Sequence, residues 1–183
     1  MVRVPWNDHV YLKRILDIGV QSLMIPMITD KKAAQEAVAA CRYPPQGIRG
    51  YAAPMVRASG YGADPTYGTN ANDQLLLIAQ IEHADSCDNI AEIAAVDGID
   101  MLFIGPFDLA GSMGCFENIE NSKVTAMIER IENRVRSSGK MLGGFPLPGR
   151  TNKELEDNGY RLIAGQSDIL LFRNAARTAA RDL

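Results

Sequence analysis

Two acidic residues, Glu82 and Asp108, occupy the positions in this chain that most clearly suggest chemistry. Glu82 directly follows a strand-like hydrophobic run at residues 75–81, and Asp108 comes shortly after a second run at residues 98–104. A helix-like stretch separates the two runs. Because parallel strands joined by a helix end at the same face, we expect both carboxylates to project from neighbouring positions on that face. Two carboxylates without a paired His or Cys suit a hard cation such as Mg²⁺ or Mn²⁺, so the pair predicts half of a metal site.

Strand-like and helix-like stretches alternate along the whole chain and would position this pair. We predict strands at 2–4, 21–28, 75–81, 98–104, 140–147 and 162–164. We predict helices at 9–17, 31–41, 86–96, 121–138, 151–157 and 168–182. Asp8, Asp30 and Asp85 are the predicted caps of the first three helices, and Thr151 with Glu154 forms a capping box. The pattern gives about six strand-helix units.

Two segments interrupt the alternation. Residues 43–72 carry four of the nine prolines and many Gly, Ser and Asn residues, so this segment is either a functional loop or a disordered one. Residues 110–114 are predicted to form a short Gly-rich loop after Asp108.

Alternating strands and helices predict an α/β fold with a parallel sheet and helices outside it. A (β/α)8 TIM barrel normally needs about 250 residues, so six units in 183 residues suggest a barrel without its first two units. An open doubly wound sheet is the alternative. Such a sheet would carry a glycine-rich phosphate loop after its first strand, and residues 4–8 are not glycine-rich.

Composition excludes several other classes of protein. The formal net charge is −3 and there is no basic patch, which argues against nucleic acid as a partner. No apolar run reaches the ~20 residues that a membrane span requires, and no signal peptide is visible. Three widely separated cysteines argue against a disulfide framework and favour the reducing cytoplasm.

Several motifs, in this order, resemble those of the HpcH/HpaI aldolase family. They are Val-Arg-Val-Pro at 2–5, Arg-Tyr-Pro-Pro-Gln-Gly-Ile-Arg-Gly at 42–50, Gln-Ile-Glu at 80–82 and Phe-Ile-Gly-Pro-Phe-Asp-Leu at 103–109. The resemblance implies one partial TIM-barrel domain over residues 1–183, in the phosphoenolpyruvate/pyruvate superfamily, that begins at the family's third strand. It also implies a homo-oligomer, usually a hexamer with the last helix exchanged between paired subunits, and a role in the catabolism of aromatic compounds.

The resemblance also implies roles for individual residues in a class II aldolase that cleaves 4-hydroxy-2-oxo acids to pyruvate and an aldehyde. Glu82 and Asp108 match the two ligands of a divalent ion, which would be Mg²⁺, Mn²⁺ or Co²⁺. Arg3 matches a catalytic arginine that binds the carboxylate and keto oxygen of the 2-oxo acid substrate. Gln80 matches a glutamine of the substrate pocket, and the backbone amides near Phe107 and Asp108 would face the substrate carboxylate. The 43–72 loop would help to close the pocket.

The family's general base, a histidine, belongs to a segment that would precede residue 1. Only His9 and His83 occur in this chain, and we expect His83 to be a loop histidine rather than a ligand. Residues 165–168 also differ from the family pattern. Two hypotheses therefore stand: an active lyase, or a catalytically deficient fragment or paralogue that binds metal and 2-oxo acid or serves in assembly. We expect an incomplete gene model more readily than a natural six-stranded barrel.

Overall fold

The computed structural model describes residues 1–181, and within them six parallel strands form a single curled sheet. The strands are β1 (Val2–Arg3), β2 (Ser22–Ile25), β3 (Leu76–Ile81), β4 (Met101–Ile104), β5 (Met141–Gly144) and β6 (Tyr160–Ile163). Each strand pairs with the next one in sequence, so the order runs from β1 to β6 without reversal. A doubly wound sheet reverses its strand order at a switch point, and the observed order therefore excludes that alternative. The architecture is that of a six-stranded half-barrel.

Helices connect the strands, and most of their ends agree with the sequence. They are α1 (His9–Asp17), α2 (Lys31–Cys41), α3 (Tyr67–Asn70), α4 (Ala84–Ala94), α5 (Pro106–Ser112), α6 (Ser122–Ser138), α7 (Asn152–Asp157) and α8 (Asp168–Arg181). Asp8 and Asp30 accept hydrogen bonds from the first amides of α1 and α2, as predicted. The Thr151 and Glu154 capping box is also present.

Two apolar layers lie on opposite faces of the sheet. The larger layer joins one face to the helices and includes Leu23, Leu77 and Leu102. The smaller layer, which we call the inner layer, consists of the buried residues Met24, Ile78, Met101 and Phe103 on the other face. Alternate residues of a strand point to opposite faces, so Gln80 and Glu82 continue the inner face beyond Ile78.

Several local predictions near the carboxyl ends of the strands were wrong. The strands predicted to end at residues 28 and 147 end at Ile25 and Gly144, and the left-handed backbone of Met27 (φ 55°) cannot continue β2. The cap of α4 is His83, whose Nδ1 accepts from the Asp85 amide, because α4 begins two residues earlier than the sequence indicated. The predicted loop at residues 110–114 is largely helical, since α5 continues from Pro106 to Ser112. Proline in the first turn favours a helix start at Pro106, and Gly111 does not prevent the helix from continuing to Ser112.

The 43–72 segment is ordered. It lies at the end of the sheet opposite to the predicted metal ligands, so the prediction that it helps to close the pocket of its own chain was wrong. It contains α3 and three short 3₁₀ turns, at Ala53–Met55, Arg57–Ser59 and Ala71–Gln74. It joins the end of α2 to the start of β3, so it lies at the amino ends of the strands. The predicted metal ligands lie at the opposite, carboxyl ends.

Arg49 anchors this segment to the rest of the fold. Its buried guanidinium donates to Asp17 Oδ1 at 2.9 Å and to the Tyr67 hydroxyl at 3.1 Å, and it stacks 4.3 Å from the Tyr43 ring centroid. Asp17 ends α1, so this ion pair connects the segment to a helix on the other side of β2. A buried, stacked guanidinium of this kind fixes loop geometry rather than taking part in chemistry.

None of the residues of the last helix, α8, is buried within the described chain. Its first turns expose four large apolar side chains, Ile169, Leu170, Leu171 and Phe172. The predicted end of this helix at Asp182 lies outside the described residues. Within residues 1–181, no helix is both long enough and apolar enough to span a bilayer.

Candidate active site

Glu82 is the centre of the candidate site and is held from two sides. It follows β3 and is only 3% exposed. Its Oε1 accepts a hydrogen bond from the Met27 amide at 2.9 Å, and its Oε2 accepts one from Gln80 Nε2 at 2.5 Å. Both carboxylate oxygens are therefore used by neighbouring groups of the chain, and the side chain has one defined orientation.

The pKa of the Glu82 carboxyl reflects this environment. Burial raises the pKa of the Glu82 carboxyl to about 7, the Met27 amide opposes that rise, and the nearby Asp108 carboxylate adds to it. The positive charge of Arg3 acts in the opposite direction and lowers the pKa. Arg3 and Asp108 are thus both close enough to influence Glu82.

Asp108 lies in the first turn of α5, and the sequence explains why. Gly105 and Pro106 end β4 and begin the helix, which turns the chain over the carboxyl end of β3. The Asp108 side chain is exposed, and its carboxylate is close enough to Glu82 to help raise the pKa of the Glu82 carboxyl. The structure thus brings the two predicted carboxylates together. Within residues 1–181, no cluster of three or more His, Cys, Asp or Glu residues could surround a metal ion.

Gly105 makes room for this arrangement. A β-carbon at this position would lie 2.7 Å from Glu82 Oε2 and 2.8 Å from Gln80 Nε2. Real β-carbons do not approach other atoms this closely, so only glycine lets β4 pass beside the carboxylate. A glycine directly after a hydrophobic strand was visible in the sequence, but its packing role was not.

Gln80 contributes the least satisfied polar atom of the site. It is 5% exposed, and its amide nitrogen is used by Glu82 while its Oε1 has no hydrogen-bond partner among the described residues. Buried polar atoms in native proteins are nearly always paired. An acceptor left free beside a carboxylate therefore points to a water or ligand that donates to it.

Arg3 shares the inner face of the sheet with these residues. It pairs in register with Met24 on β2, and Met24 in turn pairs with Ile78 on β3. Both partners belong to the inner layer, and the Arg3 side chain remains exposed. Its guanidinium makes only one long hydrogen bond, from Nη1 to the Val4 carbonyl at 3.5 Å. The guanidinium is thus available for a ligand.

Phe107 does not pack into the core. It follows Pro106 in α5, and 63% of its surface is exposed. The amides of Phe107 and Asp108 belong to the first turn of α5, where helices leave backbone donors free.

Neither histidine joins the two carboxylates. His83 Nδ1 is used as the cap of α4 and lies 3.5 Å from Asp85 Oδ2, and His9 begins α1. Met27 is the contributor that the sequence did not reveal. It acts through its backbone amide, and no residue-type pattern marks such a role.

Comparison with known proteins gives a consistent result along the chain. A family model described as HpcH/HpaI aldolase/citrate lyase matches residues 1–175. A 4-hydroxy-2-oxo-heptane-1,7-dioate aldolase from Salmonella heidelberg is 41% identical over 182 residues, which cover 99% of this chain and 69% of that protein.

Two solved structures share the fold. An HpcH/HpaI aldolase/citrate lyase family protein from Burkholderia cenocepacia superimposes with a TM-score of 0.92 at 36% identity, covering 99% of this chain and 72% of that one. An HpcH/HpaI aldolase from Desulfitobacterium hafniense superimposes with a TM-score of 0.85 at 26% identity, covering 99% of this chain and 70% of that one.

Proposed function

The chain belongs to the HpcH/HpaI aldolase/citrate lyase family, and on that premise we propose that it is a metal-dependent lyase. The proposed reaction cleaves a 4-hydroxy-2-oxo acid to pyruvate and an aldehyde. The observation that carries the proposal is that Glu82 and Asp108 lie close together at the carboxyl end of the sheet. The name of the Salmonella relative supports this class of substrate. These relatives do not favour the alternative of a catalytically deficient binding protein.

The residues present fit a divalent cation. Burial is the main cause of the raised pKa of Glu82, and the nearby Asp108 charge adds to it, so a cation between the two carboxylates would relieve both the burial cost and their mutual repulsion. Carboxylate oxygens are ligands that Mg²⁺ and Mn²⁺ accept, with water and substrate oxygens in the remaining positions. When bound, such an ion would polarise the substrate's keto oxygen as a Lewis acid.

The chain's own groups would bind the pyruvate end of the substrate. Arg3 presents a guanidinium fork that matches a carboxylate and an adjacent keto oxygen. The free amides of Phe107 and Asp108 would donate to the substrate carboxylate, and Gln80 Oε1 would accept from a bound water or substrate hydroxyl. Together these groups orient the bond between C3 and C4 for cleavage.

The bond change defines what else the reaction requires. When C3–C4 breaks, its electron pair stays on C3 as the enolate of pyruvate, and the C4 hydroxyl loses its proton as C4 becomes the aldehyde carbonyl. A proton then returns to C3. Because His83 caps α4 and His9 begins α1, we assign neither histidine to these proton transfers.

The proposal is tested by pyruvate formation from a series of 4-hydroxy-2-oxo acids, measured with a lactate dehydrogenase couple. We expect release that requires Mg²⁺ or Mn²⁺, stops with a chelator, and falls at least about a hundredfold in Glu82→Ala and Asp108→Ala. Asp85→Ala removes an exposed carboxylate at the same end of the sheet and is the matched control. Equal rates in all four proteins would rule out the proposed metal site.

A further inference from the structure

Met27 has an uncommon backbone conformation, and it lies beside the candidate site. Its φ is 55°, and only Tyr61 and Glu117 share a positive φ among the non-glycine residues at positions 1–181. For a residue with a β-carbon this left-handed region costs about 1 kcal/mol or more, so neighbouring interactions must hold it in place. Met27 lies in the connection between β2 and α2.

Neighbouring hydrogen bonds hold this connection against β3 and α4. Four of them involve residues 27–29: Met27 N to Glu82 Oε1 at 2.9 Å, Ile28 N to Gln80 O at 3.4 Å, Ser86 Oγ to Ile28 O at 3.1 Å, and Asn89 Nδ2 to Thr29 O at 2.9 Å. Ser86 is fully buried, so its bond is shielded from water. The connection is thus held at the strained residue and at the two residues that follow it.

The Met27 amide determines how Glu82 is presented. The terminal torsion of a glutamate side chain is soft, so an unrestrained carboxylate would rotate freely. The amide donates to Oε1, and the other oxygen, Oε2, accepts from Gln80 Nε2 and lies close to Gly105. The two donors together hold the carboxylate in one plane.

We propose that Met27 is a positioning residue: its left-handed backbone aims the amide N–H at Glu82 Oε1 and thereby fixes the carboxylate for a cation. The side chain matters only through the backbone it permits. Glycine adopts a positive φ without cost, whereas a β-branched residue is strongly disfavoured there. The inference rests on the proposed function for the role of Glu82, but the hydrogen bond itself belongs to the metal-free protein.

The hydrogen bond is tested first, without metal or substrate. The chain has eight methionines, so selective ¹⁵N-methionine labelling gives few amide signals, and the signal lost in Met27→Gly identifies Met27. Charge-assisted hydrogen bonds are strong, so Glu82→Gln should move the Met27 amide upfield more than any other methionine amide. Asp108→Asn removes a nearby charge but not this bond and should move it less. An unmoved Met27 signal in Glu82→Gln would overturn the inference.

The positioning role is tested second, by Mn²⁺ affinity measured with electron paramagnetic resonance. Met27→Val should weaken Mn²⁺ binding by about tenfold or more, the effect of losing a hydrogen bond to a charged group, while Met27→Gly should stay within about threefold of the native protein. Tyr61→Val places the same backbone strain at the opposite end of the sheet and should leave the affinity unchanged.

Unchanged affinity in Met27→Val, or equal losses in Met27→Val and Tyr61→Val, would contradict the positioning role. If Met27→Val does not fold, the labelling experiment still decides whether the amide binds Glu82. If the native protein binds no Mn²⁺, the proposed function fails, and the amide signal in Glu82→Gln still tests the hydrogen bond separately.

Discussion

Arg3 is the residue at which an arginine and a lysine side chain should differ most in function. A guanidinium can donate two parallel hydrogen bonds to a carboxylate and its adjacent oxygen, whereas the ammonium of lysine is a single point charge. Arg3 has an exposed guanidinium with one weak internal bond, so it has donors to offer. The difference between Arg3 and a lysine should therefore appear in the kinetics.

We predict that Arg3→Lys lowers kcat/KM for pyruvate formation by at least about tenfold, the equivalent of one lost charge-assisted hydrogen bond. Steady-state kinetics in saturating Mg²⁺ measure this change. Arg14→Lys, an exposed change on α1, is the matched control. Native kinetics in Arg3→Lys would remove Arg3 from the site.

Gly105 gives a second prediction at this scale. Its φ is −102°, which alanine also adopts, so the effect of Gly105→Ala comes from the methyl group and not from the backbone. The methyl group would displace the Glu82 carboxylate and the Gln80 amide. We expect a loss of stability of about 1–3 kcal/mol in urea unfolding and weaker Mn²⁺ binding. Gly165→Ala, where a β-carbon meets nothing within 4 Å, should change neither measurement.

At the scale of elements, the 43–72 segment contributes to the stability of the fold but lies away from the candidate active site of its own chain. Arg49 ties this segment to α1 from the amino ends of the strands, while Glu82 lies at the carboxyl ends. Replacing Arg49 leaves Asp17 without its buried partner, because only Lys13 then remains beside it.

We predict that Arg49→Met lowers the free energy of unfolding by about 3 kcal/mol, in the range for breaking a buried ion pair from one side. Where the variant is folded, its Mn²⁺ affinity should equal that of the native protein. Urea unfolding and Mn²⁺ titration of the same sample measure both quantities. A large loss of affinity with little loss of stability would place the segment at the metal site instead.

The elements also show how far the sequence could predict this structure. Strand and helix order followed from hydrophobic periodicity, and the caps at Asp8 and Asp30 followed from residue type. The cap at His83 and the helical turn at residues 110–112 did not, since histidine is a rare cap and glycine usually marks a loop. The candidate site likewise contains residues that the sequence predicts and one that it does not. Glu82 and Asp108 were predictable because carboxylates after parallel strands converge, whereas Met27 acts only through its backbone.

At the scale of the whole molecule, the exposed apolar side chains of α8 indicate that this helix binds a partner. Its residues are all exposed, and they include the large apolar side chains Ile169, Leu171 and Phe172. Soluble monomers rarely leave such a surface open, and a second copy of the chain would cover it. This expectation agrees with the homo-oligomer that the family resemblance implies.

We predict a mass in solution that is a multiple of the 20.0 kDa chain, and a shift toward the single chain in Phe172→Glu. Burying a charge in an apolar contact is costly, which is why one substitution should suffice. Light scattering coupled to size-exclusion chromatography gives both masses. Arg177→Glu, a charge change on the same helix, is the control. A native protein that runs as one chain at all concentrations would contradict the prediction.

The most direct test of the account is a Mn²⁺ titration of the native protein and two isosteric variants, Glu82→Gln and Asp108→Asn. The account predicts about one bound ion per chain in the native protein, because Glu82 and Asp108 form one site, and a loss of that binding in each variant. Asp85→Asn should bind as the native protein does. Native stoichiometry and affinity in both isosteric variants would contradict the claim that these two carboxylates hold the metal.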